Sequence, residues 1–336
     1  MQATDLLGNQ NSETINVVVK NGQKTFGGSG YDYASSVKQT TDGGYIVAGY
    51  TGSFGAGSSD VYILKLNSDG SLAWQKTFGG TGYDEAYSIQ QTTDGGYIVA
   101  GKTYPFRAGD YDIYILKLNS DGSLVWSKTF GGTGYDEAYS IQQTTDGGYI
   151  VAGLTGSFGA VWYDAYVLKL DSDGSLEWQK TFGGSGNDWA YSIQETRDGG
   201  YIVAGLTGSF GAVWYDAYVL KLDSDGSLAW QQMFGEDGYD AAYSIQQTTD
   251  GGYIVAGVTG LFGSGSDDAY ILKLNSDGSL AWQKTFGGSG SDLANSIQQT
   301  TDGGYIVAGV TKLFGAAYDD VYIFKLDSNG ELHPFE

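Results

Sequence analysis

The chain has 336 residues, of which 55 are glycine and only 2 are proline, and its formal charge at pH 7 is −22. A protein this acidic is unsuited to a nucleic-acid backbone or an anionic membrane surface, so we expect neither as a partner. It has no cysteine and a single histidine, His333, which excludes disulfides, thiolate metal sites and Ser-His-Asp or Cys-His catalysis.

The first segment, residues 1–13, has no pattern that assigns it a structure. We expect it to be a flexible extension of a single domain that spans residues 14–336. It lacks the basic and apolar regions of a signal peptide. Nowhere does an apolar run approach the roughly 18 residues that a membrane-spanning helix needs, so no membrane insertion is expected.

The next segment, "TINVVVKNGQKTF" (Thr14–Phe26), is rich in β-branched residues and predicts a strand. After it, the string "TTDGGYIVAG" begins at Thr40 and recurs every 52 residues, six times in all. The copy at Thr196 carries the one change, Arg197. A fixed period of this length is typical of repeat architectures.

One unit, Lys128–Gln179, contains the β-rich runs "AYSIQQT", "YIVAGLT" and "DAYVLKL" and a fourth run, "LEWQKTF", that crosses into the next unit. The connections "TDGG" and "DSDGS" are Asp-Gly turns of the kind that close β-hairpins. Because "YIVAG" and "YVLKL" are apolar on both faces, the sheet should be covered on both sides. The sequence therefore predicts an all-β, six-bladed β-propeller of four-stranded antiparallel blades.

The ends of the chain should close the ring of blades. We expect Thr14–Phe26 to supply the missing outer strand of the last blade by pairing with Val321–Leu326, because an unpaired edge favours aggregation. The alternative is that Glu331–Phe335 fills that edge alone.

The string "TFGGSGYD", followed by "TDGGYIVAG" and "DAYILKLNSDGSLAWQKTFGG", resembles the β-propeller repeat of secreted bacterial and archaeal surface proteins (SBBP-like repeats). The resemblance covers nearly all of Lys24–Leu332. It implies a propeller and an extracellular or cell-surface setting, and it implies no reaction. That family is often described as seven-bladed, whereas this chain has six copies.

The copies differ mainly in the linkers between blades and in the loops between second and third strands, which should share one face. Variation confined to one face favours a recognition surface, although neutral drift in permissive loops would look the same. Aromatic rings beside carboxylates are suited to sugars, but they also serve as packing between loops. The candidate ligand-binding residues on this face are Trp162, Tyr163, Trp189, Trp214, Tyr215, Tyr104 and Arg107.

Two classes of aspartate do not vary on this variable face. One class lies in the linker between blades and the other begins the third strand. They are expected either to accept backbone N–H groups or to ligate Ca²⁺, the only cofactor that the sequence suggests. These residues are Asp32, Asp60, Asp84, Asp112, Asp136, Asp164, Asp188, Asp216, Asp240, Asp268, Asp292 and Asp320.

The aspartates of the Asp-Gly turns are explained by turn chemistry. A lysine interrupts each apolar third strand, as Lys65 does in the first copy, and should be paired or reach the rim.

Repeats this alike offer little of the asymmetry that an active site needs. Copy-specific acids exist (Glu85, Glu137, Glu236 and Asp237), but nothing in the sequence pairs them, so a glycoside-active enzyme is the weakest alternative. The sequence favours a non-enzymatic extracellular scaffold or recognition module that binds a protein or a neutral glycan. A lectin-like propeller, with or without Ca²⁺, is the alternative.

Overall fold

The structure is a computed structural model that describes residues 3–4, 10–11, 19–20, 23–104, 110–159, 162–210, 214–260, 267–312 and 320–335. The chain divides into two compact units. The first comprises residues 1–158 and 169–177, and the second comprises residues 159–168 and 178–336. All regular structure in the described residues is β-strand, and no helix among them could cross a membrane.

The N-terminal part contains two short antiparallel pairs. Strand β1 (Ala3–Thr4) pairs with β2 (Gln10–Asn11), and β3 (Val19–Lys20) pairs with β4 (Gln23–Lys24). The remaining residues before Gln23 lie outside the described part of the chain. The expected flexibility of residues 1–13 therefore stays a prediction.

Six four-stranded antiparallel sheets follow. The first three sheets are formed by β5 (Asp32–Gln39), β6 (Tyr45–Thr51), β7 (Asp60–Leu66) and β8 (Leu72–Phe78); by β9 (Asp84–Gln91), β10 (Tyr97–Thr103), β11 (Asp112–Leu118) and β12 (Leu124–Phe130); and by β13 (Asp136–Gln143), β14 (Tyr149–Thr155), β15 (Asp164–Leu170) and β16 (Leu176–Phe182).

The other three sheets repeat this arrangement. They are formed by β17 (Asp188–Glu195), β18 (Tyr201–Thr207), β19 (Asp216–Leu222) and β20 (Leu228–Phe234); by β21 (Asp240–Gln247), β22 (Tyr253–Thr259), β23 (Asp268–Leu274) and β24 (Leu280–Phe286); and by β25 (Asp292–Gln299), β26 (Tyr305–Thr311), β27 (Asp320–Leu326) and β28 (Leu332–His333). The predicted fold class, a six-bladed β-propeller of four-stranded blades, is confirmed.

The second and third strands form the core of most blades, as their two-sided apolar pattern predicts. Every residue of β18 and of β19 is buried. In the first unit, β6 packs on β9, and β10 packs on β13. In the second unit, β18 packs on β21, and β22 packs on β25. Within each unit, the second strand of one blade thus covers the first strand of the next.

The recurring fourth-strand tryptophans cover a glycine of the following blade. A Cβ atom added to Gly122 would lie 2.9 Å from the indole ring of Trp74, and the same contact joins Gly226 to Trp178. Gly122 also has a φ of +78°, which is the left-handed region that a glycine turn uses. The glycine of the "SDG" turn therefore meets two requirements. It adopts the left-handed φ of the turn, and it leaves room for the tryptophan of the preceding blade.

At the turn end of each blade, the lysine of the third strand meets the aspartate of the "DGG" turn. The Lys117 Nζ atom lies 2.8 Å from a carboxylate oxygen of Asp94 and donates to the Leu118 carbonyl at 3.2 Å. The Lys117 side chain is 6% exposed, whereas that of Asp94 is 62% exposed. The expected pairing of the interior lysines is confirmed, and we call each pair a lysine clasp.

The outer edge of the last blade is covered only in part. Strand β28 pairs with Lys325 and Leu326 of β27, which is the C-terminal alternative. Val321 and Ile323 of β27 remain 80% and 53% exposed. The competing partner, Thr14–Phe26, lies mostly outside the described residues, so closure of the ring by an N-terminal strand stays a prediction.

Candidate functional site

The end of each blade opposite the turns carries the linker between blades and the loop between second and third strands; we call it the loop end. In the second unit, the loop end forms a pocket of about 310 Å³. Its lining residues are Trp162, Gly186, Asn187, Gly208, Trp214 and Tyr215. The structure therefore brings together three of the predicted ligand-binding residues: Trp162, Trp214 and Tyr215. We call this site the tryptophan pocket.

The two indole rings of the tryptophan pocket face solvent. Trp162 is 59% exposed and Trp214 is 64% exposed. Both occupy the same position of the 52-residue repeat, where the other copies have Ser58, Asp110, Ser266 and Tyr318. Most large apolar side chains of this chain are buried, so two exposed indoles at one pocket are the feature that most needs an explanation.

Asn187 orders the polar side of the pocket. Its Nδ2 group donates to the Tyr215 hydroxyl oxygen at 3.1 Å, and its Oδ1 atom accepts from the Tyr163 backbone N–H at 3.3 Å. A Cβ atom on Gly208 would lie 3.0 Å from the Tyr215 ring, so glycine leaves room for that ring.

Sequence reasoning missed Asn187. Four other copies have tyrosine at its position and one has serine, so a comparison of the copies would have found it.

The other predicted ligand-binding residues are placed differently. Trp189 is half-buried and packs in an apolar cluster with Leu206 and Tyr191, and it does not line the pocket. Tyr104 is 38% exposed and contacts Tyr111 in the first unit, with ring centroids 5.0 Å apart. Arg107 lies outside the described residues. Tyr163 is half-buried and donates its backbone N–H to Asn187 without lining the pocket. Binding by these four residues stays a prediction.

Ten of the twelve invariant aspartates lie in pairs where one blade meets the next. A Cβ atom on Gly79 would be 2.5 Å from a carboxylate oxygen of Asp60 and 2.5 Å from one of Asp84. The same crowding occurs at Gly235, between Asp240 and Asp216. The first glycine of "FGG" is required because two carboxylates occupy the space of its side chain.

These carboxylates hold the loop end in place. Asp84 accepts the Gly80 backbone N–H at 2.8 Å, and Asp60 accepts the Ala56 N–H at 3.0 Å. Burial raises the pKa of Asp84, although hydrogen bonds from Thr103 and Gly80 oppose that rise. Burial likewise raises the pKa of Asp136 and of Asp240.

Calcium binding was one of two roles expected for these aspartates, and the geometry of the pairs favours the other role, acceptance of backbone N–H groups. Among the residues that the structure describes, no three or more acidic or histidine side chains form a group that could hold a metal. Each pair brings two carboxylates, and Asp60 and Asp84 both already accept backbone N–H groups. That donor set fits Ca²⁺ poorly, because the ion takes six or more oxygen ligands.

We therefore expect EDTA to leave the melting temperature unchanged. A melting temperature that falls in EDTA and recovers with added Ca²⁺ would contradict this, because only an ion bound by the folded state adds stability by mass action. The control for ionic strength is the same EDTA treatment followed by addition of Mg²⁺ in place of Ca²⁺.

The loop end of the first unit pairs two of the copy-specific acids. Glu85 and Glu137 both lie beside the ammonium group of Lys102, at 3.5 Å and 3.4 Å. No other copy has a basic residue at the position of Lys102. No local pattern predicts this cluster, because its members are spread over two repeats.

Comparison with known proteins gives matches to repeats and to propellers. The family model described as "Domain of unknown function (DUF5122) beta-propeller" matches residues 40–72, 92–124 and 248–280. The chain is 26% identical over 250 residues to the regulatory protein FlaEY of Caulobacter vibrioides. That match covers 66% of this chain and 26% of FlaEY, so this chain spans about a quarter of that relative.

Two solved structures superpose on most of this chain. Sqt1 from Chaetomium thermophilum superposes with a TM-score of 0.52 at 12% identity, over 90% of this chain and 71% of that one. The WD40 domain of Pan2 from Neurospora crassa gives 0.48 at 11% identity, over 88% of this chain and 83% of that one. The three repeats that match the DUF5122 family model, together with the six four-stranded sheets, identify the chain as a protein built of β-propeller repeats.

Proposed function

We propose that this protein is a non-enzymatic recognition module whose binding site is the tryptophan pocket. The observation that carries the proposal is the pair of exposed indoles, Trp162 and Trp214, on one pocket of about 310 Å³. Ligand sites are typically concave, largely aromatic and apolar, and furnished with a few fixed polar groups. Asn187 and the Tyr215 hydroxyl are such groups here.

The lining also indicates the charge of the ligand. None of the six residues lining the pocket is charged, although the chain as a whole carries −22. A cationic ligand would be expected to contact some of the many carboxylates, and an anionic one would be repelled by the overall field. We therefore propose a neutral ligand, presented either by a partner protein or by a glycan.

Carbohydrate binding is a second candidate, favoured by the combination of exposed indole faces with amide and hydroxyl groups. A sugar ring can stack its apolar face on an indole while its hydroxyls bond to Asn187 and Tyr215. This candidate predicts selectivity for neutral over sulfated or uronic oligosaccharides.

The Glu85–Glu137 pair supports a non-enzymatic role. Glycoside hydrolysis needs two carboxylates with the scissile bond or a water molecule between them. Here the Lys102 ammonium group forms an ion pair with both carboxylates, at 3.5 Å and 3.4 Å. Glu137 is moreover 5% exposed, which leaves its carboxylate little access to a substrate.

An extracellular or cell-surface location is part of the proposal, and it rests on the resemblance of the repeats to those of secreted surface proteins. Protease treatment of intact cells tests it. Resistance of the protein in intact cells, with cleavage after lysis, would contradict this location.

Replacing both Trp162 and Trp214 by alanine is expected to weaken binding of a neutral oligosaccharide by about 30-fold. Each stacked ring contributes about 1 kcal/mol beyond its buried area, and 1.4 kcal/mol is a factor of ten. The measurement is an array of neutral, anionic and basic oligosaccharides, followed by titration of the best ligand.

The matched control is Tyr31→Ala, which removes an aromatic ring that is 90% exposed in the first unit. The free energy of unfolding of both variants should lie within about 0.5 kcal/mol of that of the parent, because the replaced side chains are exposed. Unchanged affinity in the double variant would place the site elsewhere. Preference for anionic sugars would contradict the neutral-ligand assignment.

A further inference from the structure

The cluster around Lys102 has the composition of a cation-binding cage. The Lys102 Nζ atom lies 4.8 Å from the ring centroid of Tyr111, 5.5 Å from that of Tyr87 and 5.6 Å from that of Tyr135. Aromatic faces at these distances attract a cation. With Glu85 and Glu137, these three tyrosines form what we call the tyrosine cage.

The oxygen atoms of the cage match a primary ammonium group. Lys102 donates to the Tyr135 hydroxyl oxygen at 3.0 Å, and its other near oxygens belong to Glu85 at 3.5 Å and Glu137 at 3.4 Å. Three oxygens therefore face a group that carries three N–H bonds. A quaternary ammonium could use the rings but not these acceptors.

Hydrogen bonds and a ring contact between its own members fix the geometry of the tyrosine cage. Tyr87 donates its hydroxyl to Glu85, Tyr135 donates to Glu137, and the rings of Tyr111 and Tyr135 are in contact, with centroids 5.2 Å apart. Burial raises the pKa of Tyr87 and of Tyr135, and the charge of Glu137 raises both further. The tyrosines thus remain neutral hydrogen-bond donors.

The fold does not require charges at this place. In the second unit, the equivalents of Lys102 include Leu206 and Val258, and Ala241 takes the position of Glu85. These three side chains pack in an apolar cluster and are at most 1% exposed. An ionic group in a mostly buried place is costly unless it is well paired, and an apolar replacement is often equally stable.

We infer that the tyrosine cage is a binding site for a primary alkylammonium group, and that Lys102 is its resident ligand. Through this contact, Lys102 of the second blade is held by two residues of the next repeat. Glu137 lies on the first strand of the third blade, and Tyr135 lies in the linker before that strand. The inference is independent of the proposed recognition function, which concerns the other unit.

The first test is chemical rescue. The Lys102→Ala substitution removes three carbon atoms and the ammonium nitrogen, which together correspond to n-propylammonium. It leaves Glu85 and Glu137 without their cation. The melting temperature should fall by roughly 5–10 °C. Added n-propylammonium should recover at least half of that loss, while n-propanol and tetramethylammonium should recover little.

The parent protein and Lys102→Met are the matched controls, because in both the space remains filled. Neither should respond to n-propylammonium beyond the effect of an equal concentration of NaCl. If n-propylammonium stabilises Lys102→Ala and the parent equally, the inference is overturned. Equal rescue of Lys102→Ala by n-propanol would also overturn it, because it would indicate an apolar cavity only.

If Lys102→Ala does not fold, Lys102→Cys keeps the inference testable, because the chain has no other cysteine. The unfolded variant is alkylated with 2-bromoethylammonium: the thiolate displaces bromide and forms a thioether that ends in a primary ammonium. Alkylation with 2-bromoethanol gives a neutral side chain of similar length. Only the ammonium product should regain the parent melting temperature on refolding; equal recovery by both would overturn the inference.

Discussion

Gly101→Ala is expected to destabilise the protein by about 3 kcal/mol or more, the largest effect predicted for any single substitution here. A Cβ atom at this position would lie 1.9 Å from the Glu85 carbonyl oxygen and 2.8 Å from the Ala86 Cα atom. The pairing of β10 with β9 shifts register between Ala100 and Gly101, and this bulge brings the two backbones together. Backbone atoms on a paired strand cannot move aside as a flexible side chain can.

The effect is measured as the free energy of unfolding in urea. The matched control is Gly80→Ala, because a Cβ atom there meets nothing within 4 Å, and the change should stay within about 0.5 kcal/mol. The same severe loss is expected for Gly257→Ala in the second unit, where the carbonyl of Ala241 lies 1.8 Å from the added atom. A Gly101→Ala protein as stable as Gly80→Ala would contradict the bulge geometry.

The second large effect concerns pH: stability is expected to be greatest near about pH 4 and to fall on both sides. On the acid side the lysine clasps are lost. Partial burial would raise the pKa of Asp94, but hydrogen bonds from Lys117 and Thr92 outweigh it and lower that pKa to about 2. The same holds for Asp146, Asp198 and Asp250.

A carboxylate with a lowered pKa binds fewer protons in the folded than in the unfolded chain. The clasps therefore contribute their full stability above the ordinary aspartate value of 3.8 and lose it as the pH falls to about 2. The buried junction aspartates act in the opposite direction. Because burial raises the pKa of Asp84, Asp136 and Asp240, their contribution is greatest below 3.8 and is lost as the pH rises through their folded-state pKa.

Urea titrations from pH 2 to pH 7 measure this dependence of stability on pH. Two variants test separately the loss of stability toward acid pH (the acid limb) and the loss toward neutral pH (the other limb). Lys117→Met removes one clasp and should make the acid limb shallower. Asp84→Asn removes one buried charge and should flatten the other limb. Stability that increases steadily from pH 4 to pH 7 would contradict the burial of these carboxylates.

The fold was predictable from the sequence because each blade repeats the same local signals. The "DGG" and "SDG" turns set the hairpins, and the two-sided apolar runs set the core strands, six times over. The ends were harder to predict, because Thr14–Phe26 and Glu331–Phe335 are not repeats and compete for one edge. Which of them closes the ring depends on tertiary contacts, and no local pattern encodes these.

The candidate sites were predictable only in part. Trp162 and Trp214 stood out because they are aromatic where other copies are mostly polar, and the structure places both on one pocket. Asn187 was missed because the comparison of copies concentrated on the neighbouring linker position. The tyrosine cage was missed for a different reason: Lys102, Glu85 and Glu137 meet only when two consecutive blades pack together.

The central claim is that the tryptophan pocket binds a neutral ligand. The most direct measurement is the affinity of parent, Trp162→Ala/Trp214→Ala and Tyr31→Ala for the best neutral oligosaccharide from the array. A loss of about 30-fold is expected in the double variant alone, with unchanged stability in urea. Equal affinity in all three proteins, or no binding of any neutral oligosaccharide by the parent together with binding of a charged one, would contradict it.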